Sequence, residues 1–275
     1  MSLFLLTEVD YRQMDNQEKL LQQLAALKAL PRPVMGETLA LPNQAIQLSH
    51  QHPWIQLSYA AEGVITVETP RARLVAPPDK GVWIPPGMEH GVIADSHVCI
   101  RSIYVRADML PESPCQVIKI SPLLRELILN FSQFPVEYDE SGMEGRLVAV
   151  LLDQLALAPP CELILPWPAE RRLLPVCRYL ALNPDSQLPM AHFSQQLGVS
   201  DRTLSRLFVE HTGMSFRYWR QRCRLLSALP LLGKGMKVTD VALECGYDSL
   251  SAFSAAFGEL MGSTPSQYTQ DKGGD

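Results

Sequence analysis

Apolar positions change their spacing twice along this chain. Between Arg12 and Leu30, the residues Leu20, Leu21, Leu24, Leu27 and Leu30 recur at helical intervals and predict a short amphipathic helix. From Leu39 to Val105 the apolar runs shorten and fill with Val, Ile, Tyr and Trp. They are Trp54 to Tyr59, Val64 to Glu68, Ala72 to Val75, Val82 to Ile84 and Val98 to Val105. Glu62-Gly63, Pro77-Pro78-Asp79-Lys80-Gly81 and Pro85-Pro86-Gly87 punctuate them. Short strands between Gly/Pro turns predict an antiparallel sandwich or barrel. Helical spacing then returns. Ile120, Leu124, Leu127, Ile128 and Phe131 form one stripe, and Leu147, Val148, Leu151, Leu152 and Leu155 another. The second follows Glu140 and Glu144, acids that suit a helix N-terminus. Both stripes need cover, either from the barrel or from a second copy of the chain across a two-fold interface.

Pro159, Pro160, Pro166 and Pro168 crowd one short stretch that cannot continue a helix and reads as a semi-stiff connector. The expected organisation is therefore a domain over 1–158, a linker over 159–168 and a helical domain over 169–270. A length of 275 residues, 47% hydrophobic and 19% charged, suits two folded domains and excludes a disordered chain. No run of ~18 uncharged apolar residues predicts a membrane span. The N-terminus reaches Glu8 and Asp10 without the basic start of a secretory signal. Six scattered cysteines without a C-x-x-C fit reduced thiols in the cytosol. Charge is uneven, −7 over 1–165 and +2 over 166–275, which points nucleic-acid contact to the last part. The absence of G-x-S-x-G, Walker A and G-x-G-x-x-G motifs argues against hydrolase, nucleotide and dinucleotide chemistry.

The helical part contains a repeat. Ser194-Gln195-Gln196-Leu197-Gly198-Val199-Ser200 aligns without a gap on Ala242-Leu243-Glu244-Cys245-Gly246-Tyr247-Asp248, 48 residues later, and each leads into an apolar helix ending in Phe. A small residue four before a glycine lets two helices cross closely. The glycine takes a left-handed turn, and a serine after it caps the second helix. These are the parts of a helix-turn-helix, expected at about 189–210 and 238–258. Between them Ser215 to Leu229 reads as a spacer helix with Phe216, Trp219, Cys223, Leu226 and Leu229 inward, and Pro230 should end or kink it. An 18-residue rod spans ~27 Å, against ~34 Å between successive major-groove faces.

The order Ser200-Asp201-Arg202-Thr203-Leu204-Ser205-Arg206-Leu207-Phe208, Thr212-Gly213-Met214-Ser215-Phe216, Trp219-Arg220-Gln221-Arg222, Val238-Thr239-Asp240-Val241-Ala242, Gly246-Tyr247-Asp248-Ser249 and Gly262-Ser263-Thr264-Pro265-Ser266-Gln267-Tyr268 resembles the AraC/XylS-type transcriptional regulators. The resemblance covers about 170–270. It implies binding to double-stranded DNA through two helix-turn-helix units and recruitment or blocking of RNA polymerase, often at a neighbouring gene. Carried over by position, base-reading falls to Arg202, Ser205 and Arg206 in the first head and to Leu250, Ser251 and Ser254 in the second. Phosphate contacts fall to Ser200, Thr203, Thr239 and Ser249. Ala255 stands where many members carry arginine, so the second head has no charged reader. Arg206 also sits four residues before Glu210, the spacing of a surface ion pair.

In the first domain, His50-x-His52, Gln56, Gly63 and Pro85-x-Gly87-x2-His90 resemble the cupin double motif over about 45–105. His50, His52 and Gln56 share parity and would face one side if they lay on one strand. Where metal cupins carry glutamate this chain has Gln56, which removes an anionic ligand. The expected use is a pocket for a small organic effector lined by His50, His52, Gln56 and His90, with no tightly held cofactor. A divalent metal on His50, His52 and His90, and a purely structural role, stay open. The expected fold is α+β, a cupin-like barrel with trailing helices followed by an all-α domain with two helix-turn-helix units. The expected function is a cytoplasmic, effector-controlled, homodimeric transcription factor that is not an enzyme. A cupin metalloenzyme with a DNA-binding appendage and an architectural DNA protein are the alternatives.

Overall fold

The computed structural model describes residues 17–19, 21–22, 24–25, 27, 29–36, 45–95 and 98–270. Leu20, Leu39 and His97 lie outside them, as does the first part of the helix expected at 12–30; residues 17–19, 21–22 and 24–25 are helical. The chain divides into two compact units. One is Met1–Thr69 with Pro78–Cys161, and the other is Pro70–Pro77 with Glu162–Asp275.

The strands are β1 (Val34–Met35), β2 (Ile55–Tyr59), β3 (Ile65–Glu68), β4 (Ala72–Ala76), β5 (Lys80–Ile84), β6 (Gly91–Ala94), β7 (Ile103–Val105), β8 (Gln116–Lys119), β9 (Pro160–Cys161) and β10 (Ile164–Pro166). In the first unit an antiparallel sheet runs β1-β7-β2-β5-β8-β9, and β3 pairs with β6. Five strands, β1, β6, β8, β9 and β10, lie outside the runs read from the sequence. The run expected from Val98 narrows to β7, with a single bridge between Ala60 and Ile100.

β2 is buried along its whole length, so both its faces are covered. Ile55, Leu57 and Tyr59 enter the main core. Strand alternation turns Gln56 to the opposite face. Helices α1 (Pro122–Phe131) and α2 (Met143–Leu157) pack on that core with Leu124, Ile128, Phe131, Val148, Leu151 and Leu155. Ser121 starts α1 by accepting from Leu124 N at 3.1 Å. The two helical stripes are therefore covered within one chain. Leu151 is 0% exposed and cannot meet a partner subunit. Burying such a leucine is worth ~1.5–3 kcal/mol.

The second unit holds α3 (Leu174–Leu182), α4 (Met190–Gln196), α5 (Asp201–Thr212), α6 (Phe216–Gly233), α7 (Val238–Glu244), α8 (Leu250–Met261) and α9 (Pro265–Gln270). The stretch 159–168, expected as a connector, instead forms two short strands. Pro160 and Cys161 pair with Ile118 and Val117, while Ile164, Leu165 and Pro166 pair with Leu74, Arg73 and Ala72. Proline is tolerated there because both strands sit at sheet edges. The β4–β10 ribbon is tied to α6. Trp219 Nε1 donates to Pro166 O at 2.8 Å, and Arg222 donates to Ile164 O at 3.3 Å and Glu162 Oε2 at 2.7 Å. Pro230 does not end α6, which runs on to Gly233, with the proline inside its last turn.

Candidate functional site

The two helix-turn-helix units are built alike. Gly198 and Gly246 adopt φ of 64° and 72°, the left-handed region that favours glycine. Val199 N donates to Ser194 O at 3.0 Å, and Tyr247 N to Ala242 O at 2.9 Å. Ser194 and Ala242 are buried where the helices cross. The caps match too. Ser200 accepts from Thr203 N and Ser249 from Ala252 N, both at 3.2 Å. Both second helices stop at a left-handed glycine, Gly213 and Gly262. α5 buries Leu204, Leu207 and Phe208, and α8 buries Phe253, Ala256 and Phe257.

The opposite faces carry the expected readers. Arg202, Arg206, Leu250 and Ser251 are exposed, and Ser205 and Ser254 are half-buried. Ala255 is exposed and adds no polar group to the second head. Arg206 lies 3.5 Å from Glu210, and both side chains are largely exposed. Such a pair holds the arginine only weakly. Of the expected phosphate contacts, Ser200 and Ser249 already cap their helices. Thr203 shares its hydroxyl with Ser200 at 2.9 Å, and Thr239 bonds Asp240 at 3.2 Å.

The spacer helix does more than separate the heads. Arg220 donates to Leu188 O at 2.7 Å, Arg224 to Pro184 O and Ser186 O at 2.9 Å, and Gln187 to Gly246 O at 2.9 Å. These bonds fasten the loop before the first head to the spacer and to the second turn. A cleft of ≈ 410 Å³, lined by Arg217, Arg220, Gln221, Tyr247 and Ala252 among others, opens beside α6. Arg220 and the buried Arg222 enter the sequence analysis only within the family resemblance, with no role, and Arg217 and Arg224 do not enter it. Their crowding between residues 217 and 224 was the available signal.

In the first unit, His50, His52, Gln56 and His90 come together, but not on one strand. β2 begins only at Ile55, after Pro53, so His50 and His52 precede it. His50 is joined to His90 by an isolated bridge, with reciprocal N–H···O bonds of 2.9 and 2.8 Å. Ring centroids lie 4.3 Å apart for His50 and His90, 5.1 Å for His52 and His90, and 6.1 Å for His50 and His52. Gln56 Oε1 is 2.8 Å from His52 Nε2 and 3.2 Å from His90 Nε2. Burial pushes His52 down to about 4 and His90 down to about 3, and it lowers His50. The three rings are therefore neutral at pH 7. Their nitrogens all fall within 4.8 Å, and among the described residues no other such cluster of potential metal ligands occurs. His192 and His211 stand apart from it.

Comparison with known proteins bears on both units. The family model described as an AraC-like ligand binding domain matches residues 35–150, and the one described as a helix-turn-helix domain matches 193–271. The HTH-type transcriptional regulator NimR of Escherichia coli K12 is 38% identical over 221 residues, covering 80% of this chain and 81% of its own length. The chain belongs to the AraC-type family of transcriptional regulators. RipA of Corynebacterium glutamicum, an HTH-type transcriptional regulator, is 38% identical over 104 residues, 38% of this chain and 31% of its own. A solved DNA-binding transcriptional dual regulator from Escherichia coli K-12 is 27% identical, covering 37% of this chain and 98% of its own, with a TM-score of 0.34. As an AraC-type regulator, the chain pairs an N-terminal ligand-binding domain with a C-terminal DNA-binding region. Among the described residues no helix is long and apolar enough to cross a membrane.

Proposed function

We propose that this regulator is a one-component cytoplasmic switch without a catalytic step. A small effector bound at His50, His52, Gln56 and His90 sets how a homodimer reads its operator and recruits or blocks RNA polymerase. The observation that carries the reading is the duplicated turn. Two heads with the same glycine geometry and the same serine caps flank one 18-residue helix. Such a pair can address adjacent major-groove faces.

In the first head, Arg202 and Arg206 suit guanine, to which arginine donates in a bidentate manner. In the second, Leu250, Ser251 and Ser254 offer one apolar group and two hydroxyls, suited to thymine methyls and to phosphate. Ser200, Thr203, Thr239 and Ser249 flank the heads at their helix N-termini, where anions are favoured.

Dimerisation falls to the outer face of α2. Met143, Val150 and Leu157 recur every seven residues and are 72%, 44% and 76% exposed. A heptad of apolar positions on one helix is the pattern of a two-helix seam.

Operator selection tests the proposal. Full-length protein is used to select from DNA randomised under both heads. The expected result is strong base preference under the first head and weaker preference under the second. Equal preference under both would contradict the assigned readers, and recovery of no sequence preference would contradict sequence-specific regulation.

A further inference from the structure

We propose that the cleft beside α6 is a third contact with DNA, in which Arg217, Arg220 and Gln221 hold phosphates of the backbone that runs between the two heads. The inference rests on the reading of α5 and α8 as the helices that enter the grooves, and it names a surface that neither head supplies.

Position carries the first part of the argument. One wall of the cleft is α8, through Ala252 and Ala256. Ala252 is exposed and stands next to the reader Ser251 in the first turn of that helix. A recognition helix places this turn in the major groove. The cleft therefore opens at the edge of the groove, where phosphates run. The other wall is α6, which turns Arg217, Arg220, Gln221 and Arg224 to one side at intervals of three and four residues. Trp219, Cys223 and Leu226 occupy its inward side. Two heads on successive major-groove faces leave the minor groove between them, with a backbone along each edge, facing the spacer.

Charge carries the second part. Among the described residues no carboxylate lies within ion-pair distance of Arg217, Arg220 or Arg224. Arg172, Arg206 and Arg222 each have one. Residues 166–275 carry only +2 in all, so three uncompensated charges in one cleft are a local excess. Burial, and then the Arg224 charge, pull the Arg220 pKa below its ordinary value. A bound anion offsets both effects.

The three arginines are not equivalent. Arg224 donates to Pro184 O and Ser186 O at 2.9 Å and to Gln187 Oε1 at 3.2 Å, so it is a fixed background charge. Arg220 is anchored through Nη1 to Leu188 O at 2.7 Å and has further N–H groups to give. Arg217 is exposed, and neither it nor Gln221, one turn on, makes a side-chain hydrogen bond among the described residues. The seven residues from Arg217 to Arg224 cover ~10.5 Å of helix. One DNA strand carries about three phosphates over that length, at ~3.4 Å each.

The same donors suit a free phosphorylated molecule, and a cleft of ≈ 410 Å³ has room for one. The place of Ala252 in the groove-entering turn favours the backbone. Phosphate contacts position a protein and carry no base information. The cleft would thus give the second head the charge that Leu250, Ser251, Ser254 and Ala255 lack, without giving it a base to read.

The test uses full-length protein and fluorescence anisotropy over a range of salt concentrations. Arg217→Gln, whose side chain is exposed and unbonded, should flatten the slope of log affinity against log salt by about 1. Arg217→Lys should keep the slope. Arg217→Gln with Arg220→Gln, checked for fold by circular dichroism, should flatten it by about 2. Matched and mismatched operators should weaken by the same factor in both Gln variants. Neutral methylphosphonates placed between the two half-sites should weaken the wild type at up to three positions and the double variant at fewer. An unchanged slope in the folded double variant would overturn the proposal, as would a wild type indifferent to those methylphosphonates. Pyrophosphate at constant ionic strength probes the free ligand. If it saturably alters wild-type affinity but not that of Arg217→Gln, while methylphosphonates do nothing, the cleft holds a small anion and not DNA. Wild-type binding without sequence preference would instead defeat the reading of the heads, and this contact with it.

Discussion

Arg206 has two partners competing for it. Glu210 holds it at 3.5 Å on an exposed surface, where the pair is worth little. A guanine edge offers two acceptors in the geometry of the guanidinium. Arg206→Ala is expected to weaken operator binding by about 1–3 kcal/mol and relax preference at one or two base pairs. Glu210→Gln should instead tighten binding slightly and steepen its salt dependence, because it frees the arginine and removes a negative charge near DNA. Fluorescence anisotropy against matched and mismatched operators measures both, and unchanged binding in Arg206→Ala would remove it from the readers. Both partners were legible in the sequence through their spacing. Arg222 was not. It stands one helical turn from Tyr218, its ring partner, but its burial depends on Glu162 and Ile164, about 60 residues away in sequence. Spacing alone cannot report a partner that distant.

At the scale of single elements, α2 separates folding from assembly within adjacent residues. Leu151 is fully buried in the first unit's core, and Val150 is 44% exposed on the outer face. Leu151→Ala should cost ~2–5 kcal/mol, read as a lowered denaturation midpoint. Val150→Glu should leave that midpoint nearly unchanged and shift the dimer to monomer, read by sedimentation at micromolar concentration. A dimeric Val150→Glu protein would place the seam elsewhere. The apolar period of α2 was evident in the sequence, but period alone does not tell which of two apolar faces meets the core. The duplicated turns were legible for the opposite reason. Every group that makes them, from Ser194 to Thr203 and from Ala242 to Ala252, lies within a dozen residues. The strands were read where β-branched and aromatic residues cluster, as in β2 and β5. They were missed where pairing depends on distant partners, as for β8 and β10. His50, His52, Gln56 and His90 were read as one site from a motif, yet the strand parity used to join them fails at Pro53. A backbone bridge between His50 and His90 brings them together instead.

At the scale of the whole molecule, the DNA-binding unit is not one continuous stretch of chain. It takes in Pro70–Pro77 from deep inside the first unit's sequence, then resumes at Glu162. The polypeptide therefore passes between the units three times, and no single cut separates them. A fragment starting at residue 169 would keep both heads but lose the acceptor of Trp219 Nε1 and two acceptors of Arg222, leaving the latter only the Tyr218 hydroxyl. An unpaired buried donor costs ~1–3 kcal/mol, more for a charged one. Such a fragment should melt well below the full chain's second transition in calorimetry, and an equal midpoint would show the ribbon to be dispensable. The same threading bears on how regulators of this build can be recombined. A chimera that joins a foreign sensor to these heads at one junction inherits β10 without β4. Its designer would have to graft two segments, or supply a substitute strand, before exchanging one sensor for another.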